Sequence, residues 1–331
     1  MRICFLVLAH HQPYVFHRLV SHICTPKTDI VVHIDKKSNI QEFYDNNFRN
    51  VHYLKPRQKV YWAGWSFTKT IFAMLEYGLK VSTADYFIFL AGTDFPIRPI
   101  KDLINYLGAH YPANFLNWYP LVPGAWGFHL IERYQIRRSV AAPFLNARNI
   151  LDPGGPIMRK AAGRVVLKVE EILNSYLRPR DTAWMRFYSG SNRWCLNRDT
   201  VSFLVRYFGS QKSRALKSYL RLASNSDEIF IQTAILNSSH SRQCIGFDED
   251  TAEEIFTGKR APMPDEMRVY LHYIDWSPER EDPAILVESD LEDLKRSEKY
   301  FASKFIDGKS RGLLNKIERE LFADTRHMAV R

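Results

Sequence analysis

Long apolar runs are missing from this chain of 331 residues. The N-terminal stretch from Ile3 to Ala9 is apolar but meets His10 and His11, well short of the ~20 residues a helix needs to span a bilayer. It reads as a first β-strand entering a core, not as a signal peptide or anchor, and no later stretch is long enough either. Cysteine is scarce: Cys4, Cys24, Cys195 and Cys244 lie far apart with no CxxC pair. That argues against a zinc site and against a secretory disulfide framework, and marks them as reduced thiols. Internal repeats and low-complexity linkers are lacking, so one domain over 1–308 with a basic tail over 309–331 is expected. Acidic residues are outnumbered, 36 Asp plus Glu against 46 Lys plus Arg, for a net charge of +10. The excess favours an anionic partner: a nucleotide, an acidic glycan, a membrane surface or a nucleic acid. A nucleic-acid binder would gather its basic residues on one recognisable element. Here they spread along the chain, with modest clusters at 133–138 and 311–331.

With 46% hydrophobic residues there is ample material for a buried core. Ile3 to Ala9, Ile30 to Ile34 and Tyr86 to Leu90 are short, nearly continuous apolar runs, the pattern of strands covered on both faces. A helical segment from Pro13 to Ile23 separates the first two. Ser66 is expected to cap another, in which Phe67, Ile71, Leu75 and Leu79 recur on one face. The β-α-β order implies an α/β fold with a mostly parallel central sheet flanked by helices. Residues 112–186, rich in Trp, Tyr, Arg and Pro, read as an insertion. Beyond it, helices are expected over 199–207 and 226–237 and a strand over 269–274. The stretch 288–305 reads as helical and charged, and 309–331 as an amphipathic or frayed tail.

Open α/β sheets bind ligands at the carboxyl ends of their strands, which puts Ala91-Gly92-Thr93-Asp94 first among candidate sites. Asp94 reads either as a carboxylate facing a ligand or as the cap of the turn before Pro96. Asp248-Glu249-Asp250 has no strand before it and reads as a solvated acidic patch. In Ser224-Asn225-Ser226-Asp227-Glu228, Ser226 is expected to cap the following helix. That would place Glu228 in its first turn, where the helix dipole favours an ionised carboxylate. An ordinary acidic first turn gives the same pattern.

Taken together, His33-Ile-Asp35-Lys36-Lys37, Trp62-Ala-Gly-Trp65-Ser66, Phe87-Ile-Phe-Leu-Ala-Gly-Thr-Asp94-Phe-Pro96, Ser189-Gly-Ser-Asn-Arg-Trp194, Ser226-Asp-Glu228, Asp275-Trp276 and Lys304-Phe305 resemble the core-2/I-branching β-1,6-N-acetylglucosaminyltransferases and peptide O-xylosyltransferases, glycosyltransferase family 14. The resemblance spans nearly the whole chain. It implies a GT-A type fold with an acceptor-side insertion over 112–186, and an inverting transfer from a UDP-sugar with no bound metal or other cofactor. It makes Glu228 the catalytic base, although Asn225-Ser226 replaces the family's usual Ser-Pro. It assigns neutralisation of the leaving diphosphate to Arg268 and Lys304. Such a transfer needs a base for the acceptor hydroxyl and positive charge where the diphosphate develops negative charge, and one Glu with two cations supplies both.

By the same resemblance His33 and Asp35 adjoin the nucleotide, with a structural turn as the competing reading. Trp62, Trp65 and Ser66 either line the base pocket or pack it. Glu132 and Arg133 correspond to the pair that grips the acceptor, and Trp194 offers a stacking face for a sugar or is a core residue. The expected partners are a UDP-sugar, N-acetylglucosamine ahead of xylose, and a glycan or lipid-linked oligosaccharide acceptor, with no nucleic acid. With no anchor and no disulfides, a cytoplasmic enzyme is expected, its basic tail touching the anionic inner face of a membrane. The competing classes are a catalytically silent glycan binder and a basic nucleic-acid-binding protein.

Overall fold

The computed structural model describes residues 1–45, 47–135, 157–261, 271–281 and 283–322, with the backbone alone at 157–163 and 166. Strands β1 (Ile3–Ala9), β2 (Thr28–Ile34), β3 (Val51–Tyr53), β4 (Tyr86–Ala91), β5 (Phe95–Pro96), β6 (Tyr119–Pro120), β7 (Tyr188–Ser189), β8 (Cys195–Asn197), β9 (His272–Ile274) and β10 (Phe301–Ser303) follow in chain order. The helices are α1 (Pro13–Ile23), α2 (Trp65–Val81), α3 (Ile100–Ala109), α4 (His129–Glu132), α5 (Ile157–Tyr176), α6 (Arg198–Gly209), α7 (Arg214–Leu220), α8 (Phe230–Leu236), α9 (Glu249–Phe256), α10 (Leu291–Arg296) and α11 (Arg311–Glu320).

The main sheet runs β3-β2-β1-β4-β8. Its first four strands are parallel and β8 is antiparallel to β4, as an α/β fold with a mostly parallel sheet requires. β1 and β2 are buried along their whole length, and their side chains alternate between two cores. Cys4, Leu6, Leu8, Val31, Phe87 and Phe89 point to the side holding Trp65, Ile71 and Leu75 of α2. Ile3, Phe5, Val7, Ile30, Val32, Ile88 and Leu90 point to the side holding Phe16 and Leu19 of α1. The period of 2 in a strand sandwiched by helices produces this split.

Because the chain builds outward from β1 to β2 and β3 and then returns to β4 on the other side, the strand order reverses between β1 and β4. That crevice is where ligands bind in open α/β sheets. Its floor is tight: a Cβ on Gly92 would lie 2.6 Å from Ala9 Cβ, and Gly92 N donates to Leu8 O at 2.8 Å.

The C-terminal third departs from the sequence reading. The stretch 288–305 is not one helix: α10 ends at Arg296 and Phe301–Ser303 forms the buried centre of the sheet β5-β10-β9. The start expected for α2 also moves, since Gly64 is its N-cap and the Ser66 hydroxyl instead accepts from Tyr61 N at 2.9 Å. Within 309–331, α11 takes the amphipathic alternative and not the frayed one: Leu313, Leu314 and Ile317 are fully buried, and Glu318 pairs with Arg18 and His22 of α1. Residues 323–331 lie outside the described residues. All four cysteines are free.

Candidate active site

Asp94 sits just beyond β4 and is fully buried. Its Oδ2 accepts from Ala91 N at 2.8 Å and its Oδ1 from Arg193 Nη2 at 3.2 Å, while Arg193 Nε lies 3.0 Å from Oδ2. His272 Nε2 of β9 is 3.6 Å away, and the Ser303 hydroxyl of β10 also bonds the carboxylate. Burial alone would raise the pKa of Asp94, but Arg193 and then His272 outweigh it and hold the group below its ordinary value. The carboxylate therefore points into the protein and ties β4, the approach to β8 and the β9–β10 pair together. Lys304 is carried to the same edge: Phe305 N donates to Thr93 O at 2.9 Å, placing the lysine beside the Ala91–Asp94 turn.

Glu228 lies in a turn just before α8, not within the first helical turn. Ser226 does not cap that helix; its hydroxyl is hydrogen-bonded to Thr68 Oγ1 at 2.7 Å, buried between the loop and α2. Asn225 shapes the loop instead. It adopts φ +52°, a left-handed conformation that Asn tolerates better than most residues. Its N–H donates to Ala63 O at 3.0 Å, and its Nδ2 donates to Glu228 Oε2 at 3.0 Å. The Asn192 N–H also bonds the Glu228 carboxylate. Gly190 N donates to Glu228 O at 3.1 Å, and only glycine fits there, since a Cβ would lie 2.0 Å from Asn117 O.

The pKa of Glu228 is raised well above the carboxylate range, first by burial and then by the adjacent Asp227; Asn225, Arg193 and the Asn192 N–H oppose the shift. A raised pKa makes the ionised carboxylate a stronger base, and the Asn225 and Asn192 donors favour that ionised form, the combination that suits a general base working near or above neutrality. Arg193 and Asn192 escape a reading by sequence alone. Arg193 Nη1 donates to Asn192 Oδ1 at 2.6 Å, and Asn192 Nδ2 donates to Asp227 Oδ2 at 3.0 Å. The polar chain Asp94–Arg193–Asn192–Asp227 thus links the strand tip to the Glu228 loop.

The other expected site residues divide. His33 is fully buried at the end of β2; its Nε2 accepts from Gln58 N at 2.9 Å, and burial pushes its pKa down to about 4. Asp35 is buried, its carboxylate accepting from Lys37 N at 2.8 Å and Val60 N at 3.2 Å, with Lys37 Nζ at 3.0 Å. Both side chains hold the loop that leads to Trp62. Trp65 faces the core against Phe208 and Phe230, whereas Trp62 is 42% exposed. Trp194 offers no face to a sugar: it is 1% exposed and packs on Phe89, because alternation in the extended chain turns it inward beside Arg193.

Glu132 and Arg133 line a cavity of about 780 Å³ with Glu170, Asn174 and Arg178. Their segment is joined to the Glu228 loop through Ser224 N to Leu130 O at 3.1 Å and Gln135 N to Leu222 O at 2.8 Å. Arg268 lies outside the described residues. Asp248, expected in a solvated patch, caps α9 by accepting from Thr251 N at 3.2 Å. No group of three or more His, Cys, Asp or Glu residues able to hold a metal occurs among the described residues.

Residues 3–124 match the family model of the Core-2/I-Branching enzymes. Among curated proteins, mouse (Mus musculus) Xylosyltransferase 1 is similar, with 27% identity over 123 residues, covering 35% of this chain and 13% of that protein. The chain therefore spans a small part of that relative's length. Among solved structures, the crystal structure of S. aureus TarS matches at 19% identity and a TM-score of 0.26, over 35% of this chain and 21% of that one. The family match contains His33, Asp35, Trp65, Ser66 and Asp94 and ends before Glu132, Glu228 and Lys304.

Proposed function

We propose that this chain, which bears the core-2/I-branching family resemblance over residues 3–124, is an inverting glycosyltransferase that moves a sugar from a UDP donor to a glycan hydroxyl. The observation that carries the reading is the setting of Glu228. Its carboxylate is partly buried, has its pKa raised, and is anchored by the Asn225 and Asn192 donors, on a loop tied to the strand tips at the sheet's switch point.

Glu228 removes the acceptor hydroxyl proton as the oxygen attacks the anomeric carbon from the face opposite the diphosphate, so one displacement inverts that centre. Lys304, with Arg268 as the second cation by family resemblance, neutralises the departing diphosphate. No metal is required in this scheme. The engagement of both Asp94 oxygens by Ala91 and Arg193 supports it, since that carboxylate is already committed within the protein. The acceptor enters along the Glu132–Arg133 cavity. N-acetylglucosamine is the favoured donor sugar, ahead of xylose.

UDP-sugars are first ranked by thermal stabilisation, and the best donor is then offered with a panel of glycan acceptors to the wild type and to Glu228→Gln. The expected product of an α-linked donor is a β-glycoside by NMR, lost in the variant. An α-linked product, or equal turnover by the variant, contradicts the scheme.

A further inference from the structure

Over its described side chains, helix α5 is turned inside out relative to an ordinary surface helix. Its polar side faces the protein: Glu170 is 8% exposed, and the Asn174 side chain accepts from Tyr134 N at 2.8 Å and donates to Tyr134 O at 2.9 Å. Its apolar side faces outward, with Val165 61%, Val169 46%, Ile172 44%, Leu173 36% and Tyr176 85% exposed. At about 100° per residue these five side chains fall within one arc of about 100°. Apolar residues scattered singly over a surface need no explanation, but an exposed stripe on one helix face marks a contact surface.

We propose that this face docks on an anionic lipid bilayer. The helix is amphipathic, with Arg164 and Lys168 exposed along one border of the stripe, Lys168 paired with the exposed Glu171 at 3.1 Å. This is the arrangement of helices that lie in a membrane interface, with apolar residues entering the acyl boundary and Lys or Arg meeting the headgroups. Tyr176, the most exposed of the five, has the amphipathic ring favoured at that depth. Charge selects lipid over a second copy of the chain. A like copy laid on the stripe would bring a second net-positive chain against Arg164 and the Lys168–Glu171 pair, whereas an anionic surface attracts the cations, as the chain's net charge of +10 also favours. Within the basic tail, the apolar face of α11 is buried in the core, so the described part of the tail offers no apolar face of its own to a membrane.

The test is co-sedimentation of the full chain with phosphatidylcholine vesicles, with and without phosphatidylglycerol, at low and high salt. The wild type is expected to partition onto the anionic vesicles and to be released by salt. Val169→Asp/Ile172→Asp should weaken partition at least about 10-fold, and Arg164→Glu/Lys168→Glu about 5-fold per cation or more. Both should keep the wild-type melting temperature, since these side chains are exposed. A wild type that ignores anionic vesicles, or variants that partition equally, overturns the proposal. A wild-type dimer that the apolar variant splits, without vesicle binding, assigns the face to a second copy. A fall in melting temperature in the apolar variant, again without vesicle binding by the wild type, assigns it to another part of the chain. Partition needs no turnover, so its outcome is independent of the transferase reading.

Discussion

Glu228 carries opposing demands in one side chain. Burial and Asp227 raise its pKa, so its charged form is disfavoured in the folded state. A carboxyl with a raised folded pKa stabilises the fold at low pH and loses that contribution as pH rises from its unfolded value through its folded one. Glu228→Gln should therefore melt higher than the wild type at neutral and mildly alkaline pH, with the gap closing near pH 4.5, the ordinary glutamate value. The same variant should lower kcat by roughly 10²–10⁴-fold while leaving UDP affinity intact. The acidic limb of the wild-type pH–rate profile should lie well above the usual carboxylate range. His33 acts in the other direction: buried neutral with its pKa lowered to about 4, it draws fewer protons than the unfolded chain between that value and 6.5, its unperturbed value. Stability should fall as pH drops through that window, and His33→Gln should flatten this part of a melting-temperature profile. The Ser226-Asp227-Glu228 segment stands out in the sequence by its motif resemblance, but the helix start expected at Ser226 falls at Phe230. Arg193 does not stand out, because what defines it is Asp94, far earlier in the chain, and no local spacing reveals such a partner. Trp194 failed as a stacking face for a related reason: the sequence shows that a Trp is present, not which way a strand turns it.

At the scale of elements, the long parallel strands were readable because burial on both faces writes continuous apolar runs. β5, β7 and β10 were harder, being two or three residues long and set by their neighbours. β10 is specified by its pairing with β5 and β9, so the charged run before it masked a short strand as helix. α11 illustrates the same limit: Leu313, Leu314 and Ile317 fall on one face at helical spacing, but only the packed structure shows that the core takes that face. Leu314→Ala should lower stability by roughly 2–5 kcal/mol, measurable by urea unfolding; a change within error would mean the helix is dispensable to the fold. Arg193→Met should cost about 3–5 kcal/mol by stranding the buried Asp94 carboxylate, with Arg193→Lys recovering part of the loss.

Over the whole molecule, the strand order places the β1–β4 crevice at the centre of the sheet's ligand-binding edge, and three distant parts of the chain converge beside it. The 3–9 and 86–94 segments form its walls, the 189–197 and 224–228 segments bring Arg193 and Glu228, and the C-terminal sheet brings Lys304. The family match reaches only the first of these; Glu228 and Lys304 rest on geometry together with motif resemblance, and Arg268, outside the described residues, on the resemblance alone. No helix among the described residues is long and apolar enough to cross a membrane. The central claim is a diphosphate site served by cations, and calorimetry of UDP binding in excess chelator tests it most directly, with the wild type beside Lys304→Ala and Arg268→Ala. Binding that survives chelation and weakens in both variants is the predicted result; binding that appears only when Mn²⁺ or Mg²⁺ is restored, or that neither substitution alters, would contradict it.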